Sequence, residues 1–355
     1  MKSVLNYFQE IISTTRAGWD RFWFKESDPA TLSLIRILAG GMLFYTHAIW
    51  AWNSNDFFAQ TSWLSPDAVS LMQQTGYQWS HLWWFDTAGS LAFSHVAALT
   101  IFGLLTVGLC TRYVSVLAFF VAVSYAHRTP GALFGLDQIN TLLAFYLMLA
   151  PCGARYSLDS WLKNRQSEKP QSVKPTISAN IATRLIQVHL CVIYLFAGLS
   201  KLQGEAWWNG TAIWGGIANY EYQSLNMTWL ADWPLTINAL THCAVLWEVS
   251  FCVLIWNRLT RPIVLAGAVA LHAGIALCLG MITFGTIMIV ANMSFVKPEL
   301  VRALLTRKQP EPEQAESNNL QEDNNRRLDS SKHAVPGQKS RPVGPKQKSH
   351  RGYKQ

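Results

Sequence analysis

The sequence is poor in charge. Of its 355 residues, 14% are Asp, Glu, Lys or Arg, against roughly 25% in an ordinary soluble domain. Half are apolar, with 16 Trp and 17 Phe, which excludes a chain that is disordered throughout. Cysteine shows no working pattern either. Cys110, Cys152, Cys191, Cys243, Cys252 and Cys278 lie in or at the ends of apolar runs. None forms a CxxC pair or a Cys/His cluster at zinc spacing, so neither a disulfide framework nor a metal site is expected. No continuous apolar run precedes residue 31, so no cleavable signal peptide is expected. The most telling absence is of basic side chains: segments 53–90 and 204–235 contain no Lys or Arg, and 128–136 contains only Arg128.

What is present fits a membrane protein. Apolar runs place membrane helices near 31–52, 91–110, 113–127, 137–152, 180–203, 236–256, 262–280 and 282–296. The expected fold is an all-α, multi-pass bundle of about eight spans. The third, fourth and eighth are short for a bilayer, which takes about 20 residues at 1.5 Å each, and are expected to tilt or to form hairpins. Before them, Phe8, Ile11, Ile12, Trp19, Phe22 and Trp23 recur at helical spacing between basic residues. Residues 1–27 therefore read as an amphipathic helix lying on the membrane surface.

Charge orients this map. With the N-terminus in the cytoplasm, the inner segments collect 25 of the 29 Lys and Arg and the outer ones hold Arg128 alone, a strong positive-inside signal. Both termini are then cytoplasmic, in the cell membrane or, for a bacterial source, the inner membrane. Residues 297–355 supply +6 of the net +8, so the basic balance belongs to the tail and no nucleic-acid partner is expected. Residues 301–355 read as a disordered polar tail. Trp50, Trp52, Trp63, Trp79, Trp83, Trp84, Trp207, Trp208, Trp214, Trp229 and Trp233 fall in or beside the outer segments. They form either an interfacial belt or the walls of a cleft for a flat, lipid-soluble ligand.

An ionisable group inside a bilayer segment is a functional hypothesis by default. Lys201 stands at the outer end of the fifth span, and every other outer-side position avoids Lys. Gln187, Tyr194 and Lys201, spaced by seven, share one helix face, and Gly198 leaves room for a ligand or a neighbouring helix. Lys201 is a candidate base or a snorkelling anchor. Glu248, mid-span, is paired or reactive, with Arg36, Arg184 and Lys201 as its available partners. His272 and Asn292 sit mid-helix in the last two spans. Asp137 is either an N-cap or a site residue. His47, His95 and His189 read as satisfied core histidines.

Several motifs then resemble one family. Asp28-Pro-Ala-Thr-Leu-x-x-x-Arg36 opens the first span, and Gly108-Leu-Cys-x-Arg112 follows. Leu142-Leu-Ala-Phe145 precedes Tyr156-Ser-x-Asp159. The most specific string is Tyr194-x-x-Ala-Gly198-x-x-Lys201-Leu202, followed by Trp208 and Gly210. In this order, over 28–300, the chain resembles the vitamin K-dependent gamma-glutamyl carboxylases and their bacterial HTTM-domain relatives. The resemblance implies a reduced naphthoquinone as cofactor, with no metal, and Lys201 as the base that deprotonates it before oxygen converts it to an epoxide. It also implies carboxylation of a peptide glutamate or another small acceptor at the extracytoplasmic side, with Tyr194, Gly198, Trp208, Glu248, His272 and Asp137 as pocket residues. The chain departs from the carboxylases at Ser200-Lys201, where they carry two lysines, and in having a polar tail where they continue into a lumenal portion. The other readings are a non-enzymatic scaffold that binds a lipid or a partner protein through the Trp-rich surface, and a transporter.

Overall fold

In the computed structural model, the described residues are 2–73, 76–85, 87–167 and 172–305. Eleven helices carry the fold: α1 (Lys2–Trp23), α2 (Ala30–Trp52), α3 (Ala88–Val107), α4 (Thr111–Arg128), α5 (Gly135–Met148), α6 (Leu158–Gln166), α7 (Ile177–Lys201), α8 (Pro234–Leu254), α9 (Arg261–Cys278), α10 (Ile282–Asn292) and α11 (Pro298–Leu305). Short helical turns fill the two long connections, and no strand occurs among the described residues. The fold is all-α and multi-pass. Helices α2, α3, α7, α8 and α9 are long and apolar enough to span a bilayer, and a sixth span exists if α10 and α11, bent by 114°, count as one. The three runs expected to be short are short: α4 has 18 residues, α5 has 14 and α10 has 11.

Side-chain burial explains why these helices cannot face water alone. Val96, Leu246, Val253 and Ile263 are each more than 60% exposed, a lipid-facing surface that an aqueous protein would have to cover. Inside, two apolar clusters divide the bundle. One gathers Ile35, Leu143, Leu147, Ile186, Leu190, Phe251 and Ile287. The other gathers Leu43, Phe58, Leu91, Phe102, Leu105, Val114 and Tyr125. Helices α2 and α5 contribute to both and stand between the two clusters.

One end of the bundle is closed by the family-like motifs. Buried Arg36 donates to the carbonyls of Leu105 (2.7 Å), Thr106 (3.0 Å), Cys152 (3.1 Å) and Tyr156 (2.6 Å). A guanidinium has five donors in a fixed fork, so one side chain satisfies the last carbonyls of α3 and the loop after α5. Gly108 permits this approach: its φ is +75°, and a Cβ there would run into the Arg36 Nη1. Asp159 accepts from the N–H groups of Cys110 and Thr111 and from the Thr111 hydroxyl, each at 2.8 Å, and so caps α4. Asp28 accepts a bidentate pair from Arg155 at 2.8 and 2.7 Å. These motif residues clasp helices together.

Helix α1 exposes Tyr7, Phe8, Ile11, Ile12 and Trp19. Its C-terminal carbonyls, of Phe22 and Trp23, accept from Asn180 at 2.8 and 2.9 Å. At the far end, the helix continues to Leu305, past residue 301 where the polar tail was expected to begin. The remainder of that expected tail, from 306, lies outside the described residues.

Candidate functional site

The last turn of α7 brings Lys201 against the middle of α8. Its Nζ donates to Glu248 Oε1 at 3.0 Å and lies 2.7 Å from Oε2. Of the three cations available to Glu248, Lys201 is the partner: Arg36 is held by four carbonyls, and Arg184 lies on the Phe22 ring and donates to Gln187. The Glu248 side chain is 9% exposed and that of Lys201 24%, so the pair is largely desolvated on the carboxylate side. Trp207 covers the amine, with Nζ 5.3 Å from the ring centre.

Gly198 sets this geometry. A Cβ at that position would lie 2.7 Å from Val249 Cγ2, 3.1 Å from the Val249 nitrogen and 3.2 Å from Glu248 Cβ. The room left by Gly198 is taken by helix α8, and the close crossing is what brings Glu248 to Lys201.

Two turns deeper along α7, Tyr194 carries a second polar group. The Tyr194 hydroxyl is 2.7 Å from His272 Nε2 and accepts from Asn292 Nδ2 at 2.7 Å. Tyr194, His272 and Asn292 are each at most 3% exposed, joining α7, α9 and α10 through hydrogen bonds in an apolar surround. Trp247 and Phe251 pack on the Tyr194 ring at 5.0 and 4.3 Å. Two atoms of this group, His272 Nδ1 and Asn292 Oδ1, are buried with no partner among the described residues. An unpaired buried polar atom is rare and calls for an explanation, a bound group among them.

Lys201 and Glu248 thus form one polar group and Tyr194, His272 and Asn292 another, two turns apart along α7. Trp208 stands apart. It is 66% exposed and donates to the Leu202 carbonyl at 2.7 Å, tying down the chain just past Lys201. Asp137 is in neither group: its Oδ2 accepts from the Phe134 N–H at 2.9 Å, the capping alternative. It lines a small recess with His47 and Tyr125. Gln187 shares the helix face of Tyr194 but donates to the Ser294 carbonyl, away from the site. Among the tryptophans, seven of the eleven are exposed, as in a belt; Trp50, Trp83, Trp207 and Trp214 are partly buried. Trp207 over Lys201 and Trp83 over Arg128 are the ones that wall a charged group.

Sequence reading took His95 as a core histidine and passed over His81. Each belongs to a hydrogen-bonded run in the α2–α4 half, His95 with Ser54 and Tyr125 and His81 with Ser94 and Ser124. No local spacing could have shown this, because the partners lie between 13 and 43 residues apart.

Comparison with known proteins agrees with the motif reading. The HTTM domain matches residues 24–299. The chain belongs to the HTTM-domain family. No match was found among curated proteins or among solved structures. The HTTM match runs from the end of α1 to the start of α11 and so includes both polar groups and the whole Arg36–Asp159 clasp.

Proposed function

We propose that this HTTM protein is a lipid-quinol-dependent membrane enzyme of the carboxylase-like type, with Lys201 as its base and its site opening on the extracytoplasmic side. The observation that carries the reading is the Lys201–Glu248 pair, set on a buried Tyr194–His272–Asn292 group in a bundle half whose outer loop has no other Lys or Arg. The residues fit a reduced naphthoquinone: Trp207 offers a flat face beside the amine, and His272 Nδ1 and Asn292 Oδ1 are spare hydrogen-bonding atoms for ring oxygens. When bound, such a quinol supplies the electrons, with oxygen as the oxidant.

The chain's own part is proton transfer. Across a 2.7–3.0 Å contact a proton passes from the Lys201 ammonium to the Glu248 carboxylate with little movement of heavy atoms, leaving a neutral amine beside a carboxylic acid. In low-dielectric surroundings the neutral and ionic forms of such a pair approach each other in energy. The neutral amine accepts the proton of a ligand hydroxyl, and Glu248 retains the first proton, so the pair removes one proton per cycle. Tyr194, held by His272 and Asn292, fixes the floor of the site. The final acceptor is a peptide or small molecule that meets the site from the Trp-rich end.

The test is epoxide formation by purified protein supplied with a reduced naphthoquinone and oxygen. Epoxide from the wild type that disappears in Lys201→Ala is the expected result. No epoxide above background across several quinols overturns the reading and leaves the lipid- or partner-binding scaffold in its place.

A further inference from the structure

The α2–α4 half holds a nucleophile arrangement that the Lys201 site does not use. Ser54 Oγ lies 3.0 Å from His95 Nε2, and His95 Nδ1 lies 2.7 Å from the Tyr125 hydroxyl. A second run lies in the same half: Ser94 Oγ is 2.9 Å from His81 Nε2, His81 Nδ1 is 2.5 Å from Ser124 Oγ, and Ser124 is 2.9 Å from Ser80 Oγ. One donor direction satisfies the first run, Ser54 to His95 and His95 to Tyr125, and the same sense satisfies the second, Ser94 to His81, His81 to Ser124 and Ser124 to Ser80. That direction leaves His95 Nε2 as the acceptor of the Ser54 proton. A serine, a base within hydrogen-bond reach and a third group orienting the base are the parts of an activated nucleophile.

The serine and the histidine also share a cleft. A cavity of about 450 Å³ between the end of α2 and the start of α3 is lined by Ser54 and His95, by Asn55 and Gln60, and by an apolar strip including Leu91 and Val96. That volume lies within the range of ligand pockets. Val96 is 63% exposed, so the strip faces the lipid side. None of the lining residues is charged, which favours a neutral, amphipathic substrate. The carboxamides of Asn55 and Gln60 are N–H donors of the kind that stabilise a developing oxyanion.

We propose that Ser54 and His95 form an ester-cleaving site for a neutral lipid ester, with Tyr125 as a positioning residue. Ser54 Oγ bonds to the ester carbonyl carbon as its proton passes to His95 Nε2. The C–O bond to the alcohol then breaks, and the alcohol leaves with that proton. Water next adds to the acyl-serine, giving its proton to His95, and release of the carboxylic acid returns the proton to Ser54. No electrons are exchanged, and water is the co-reactant.

The full-length protein in nanodiscs, treated with an alkyl fluorophosphonate, tests this. Attack by Ser54 forms a Ser–O–P bond and expels fluoride, and peptide mass mapping reads the adduct on the unaltered chain, independent of any variant's folding. The expected result is one adduct, on Ser54, absent in Ser54→Ala, about 100-fold slower in His95→Gln and unchanged in the exposed Ser70→Ala. In Tyr125→Phe the limiting labelling rate falls about tenfold, as for loss of one hydrogen bond, while the half-saturating probe concentration stays the same. No adduct on Ser54, or labelling of other serines at the same rate, overturns the proposal; an unchanged limiting rate in Tyr125→Phe removes Tyr125 from it.

Discussion

Replacing Lys201 separates two roles of its amine, holding the helices and moving a proton. The Glu248 carboxylate is 9% exposed and has both oxygens within 3.0 Å of the amine. Deleting one partner of a buried pair costs about 3–5 kcal/mol, because the other charge is left unpaired. The 24% exposure of the lysine side chain gives water some access, which places Lys201→Met at the low end, about 3 kcal/mol. Lys201→Met with Glu248→Met fills the same space without any charge, and replacing a buried pair by apolar side chains of similar volume is close to neutral. The expected coupling in the double-mutant cycle is therefore about 3 kcal/mol or more. Reversible denaturation in bicelles, read by tryptophan fluorescence, measures it. If the double variant loses as much stability as the two single variants added together, with coupling below about 0.5 kcal/mol, the pair does not hold α7 to α8 and the reasoning fails. The same double variant sharpens the epoxide assay: it is expected to fold and remain inactive, which assigns the loss in Lys201→Ala to chemistry.

Two further outcomes concern the clasp. Arg36→Ala strands four carbonyls and is expected to destabilise by about 3–5 kcal/mol in the same denaturation experiment, with Arg36→Lys recovering only part, since one ammonium cannot reproduce the fork. Asp159 is subject to burial, which would raise its pKa, but the hydrogen bonds from Thr111 and Cys110 and the nearby Lys163 outweigh this and hold it below the usual carboxylate value. A depressed folded pKa gives stability that is present above the unfolded value near pH 4 and is lost as pH falls through the folded one. Wild type should therefore melt above Asp159→Asn from pH 7 down to about pH 4 and converge with it below.

The sequence makes polar residues in the spans conspicuous, because lipid excludes them, and this is why Lys201, Tyr194, Glu248 and His272 were legible without a structure. Their partners were less so. Glu248 had three cations within reach of the sequence argument, and only the helix crossing at Gly198 selects Lys201. Gly198 itself read equally well as space for a ligand, and the crossing fills that space with Val249 and Glu248. The Asp28, Arg36 and Asp159 strings pointed to the right family, yet their side chains are spent on backbone carbonyls, N–H groups and Arg155. Family likeness therefore locates the clasp as readily as the site, and only the hydrogen-bond partners tell the two apart.

The histidine chain marks the limit of the same logic. His95 has neither an acid nor a second histidine at helical spacing, so periodicity gave it no reason to be more than a core residue. What distinguishes it is that α3, α4 and the connection between α2 and α3 converge around it, each supplying a hydroxyl or an imidazole. Tyr125 of this group belongs to a different apolar cluster from Tyr194. Two polar groups in separate cores of one membrane bundle are expensive to maintain if they serve packing alone, since each of their atoms needs a partner that lipid cannot provide. In the α2–α4 half, His81, His95, Ser54, Ser94 and Ser124 have their partners. Beside Tyr194, His272 Nδ1 and Asn292 Oδ1 do not. The first pattern is that of a preorganised relay and the second that of a site with hydrogen bonds still to give, and this difference is the physical ground for assigning them different work.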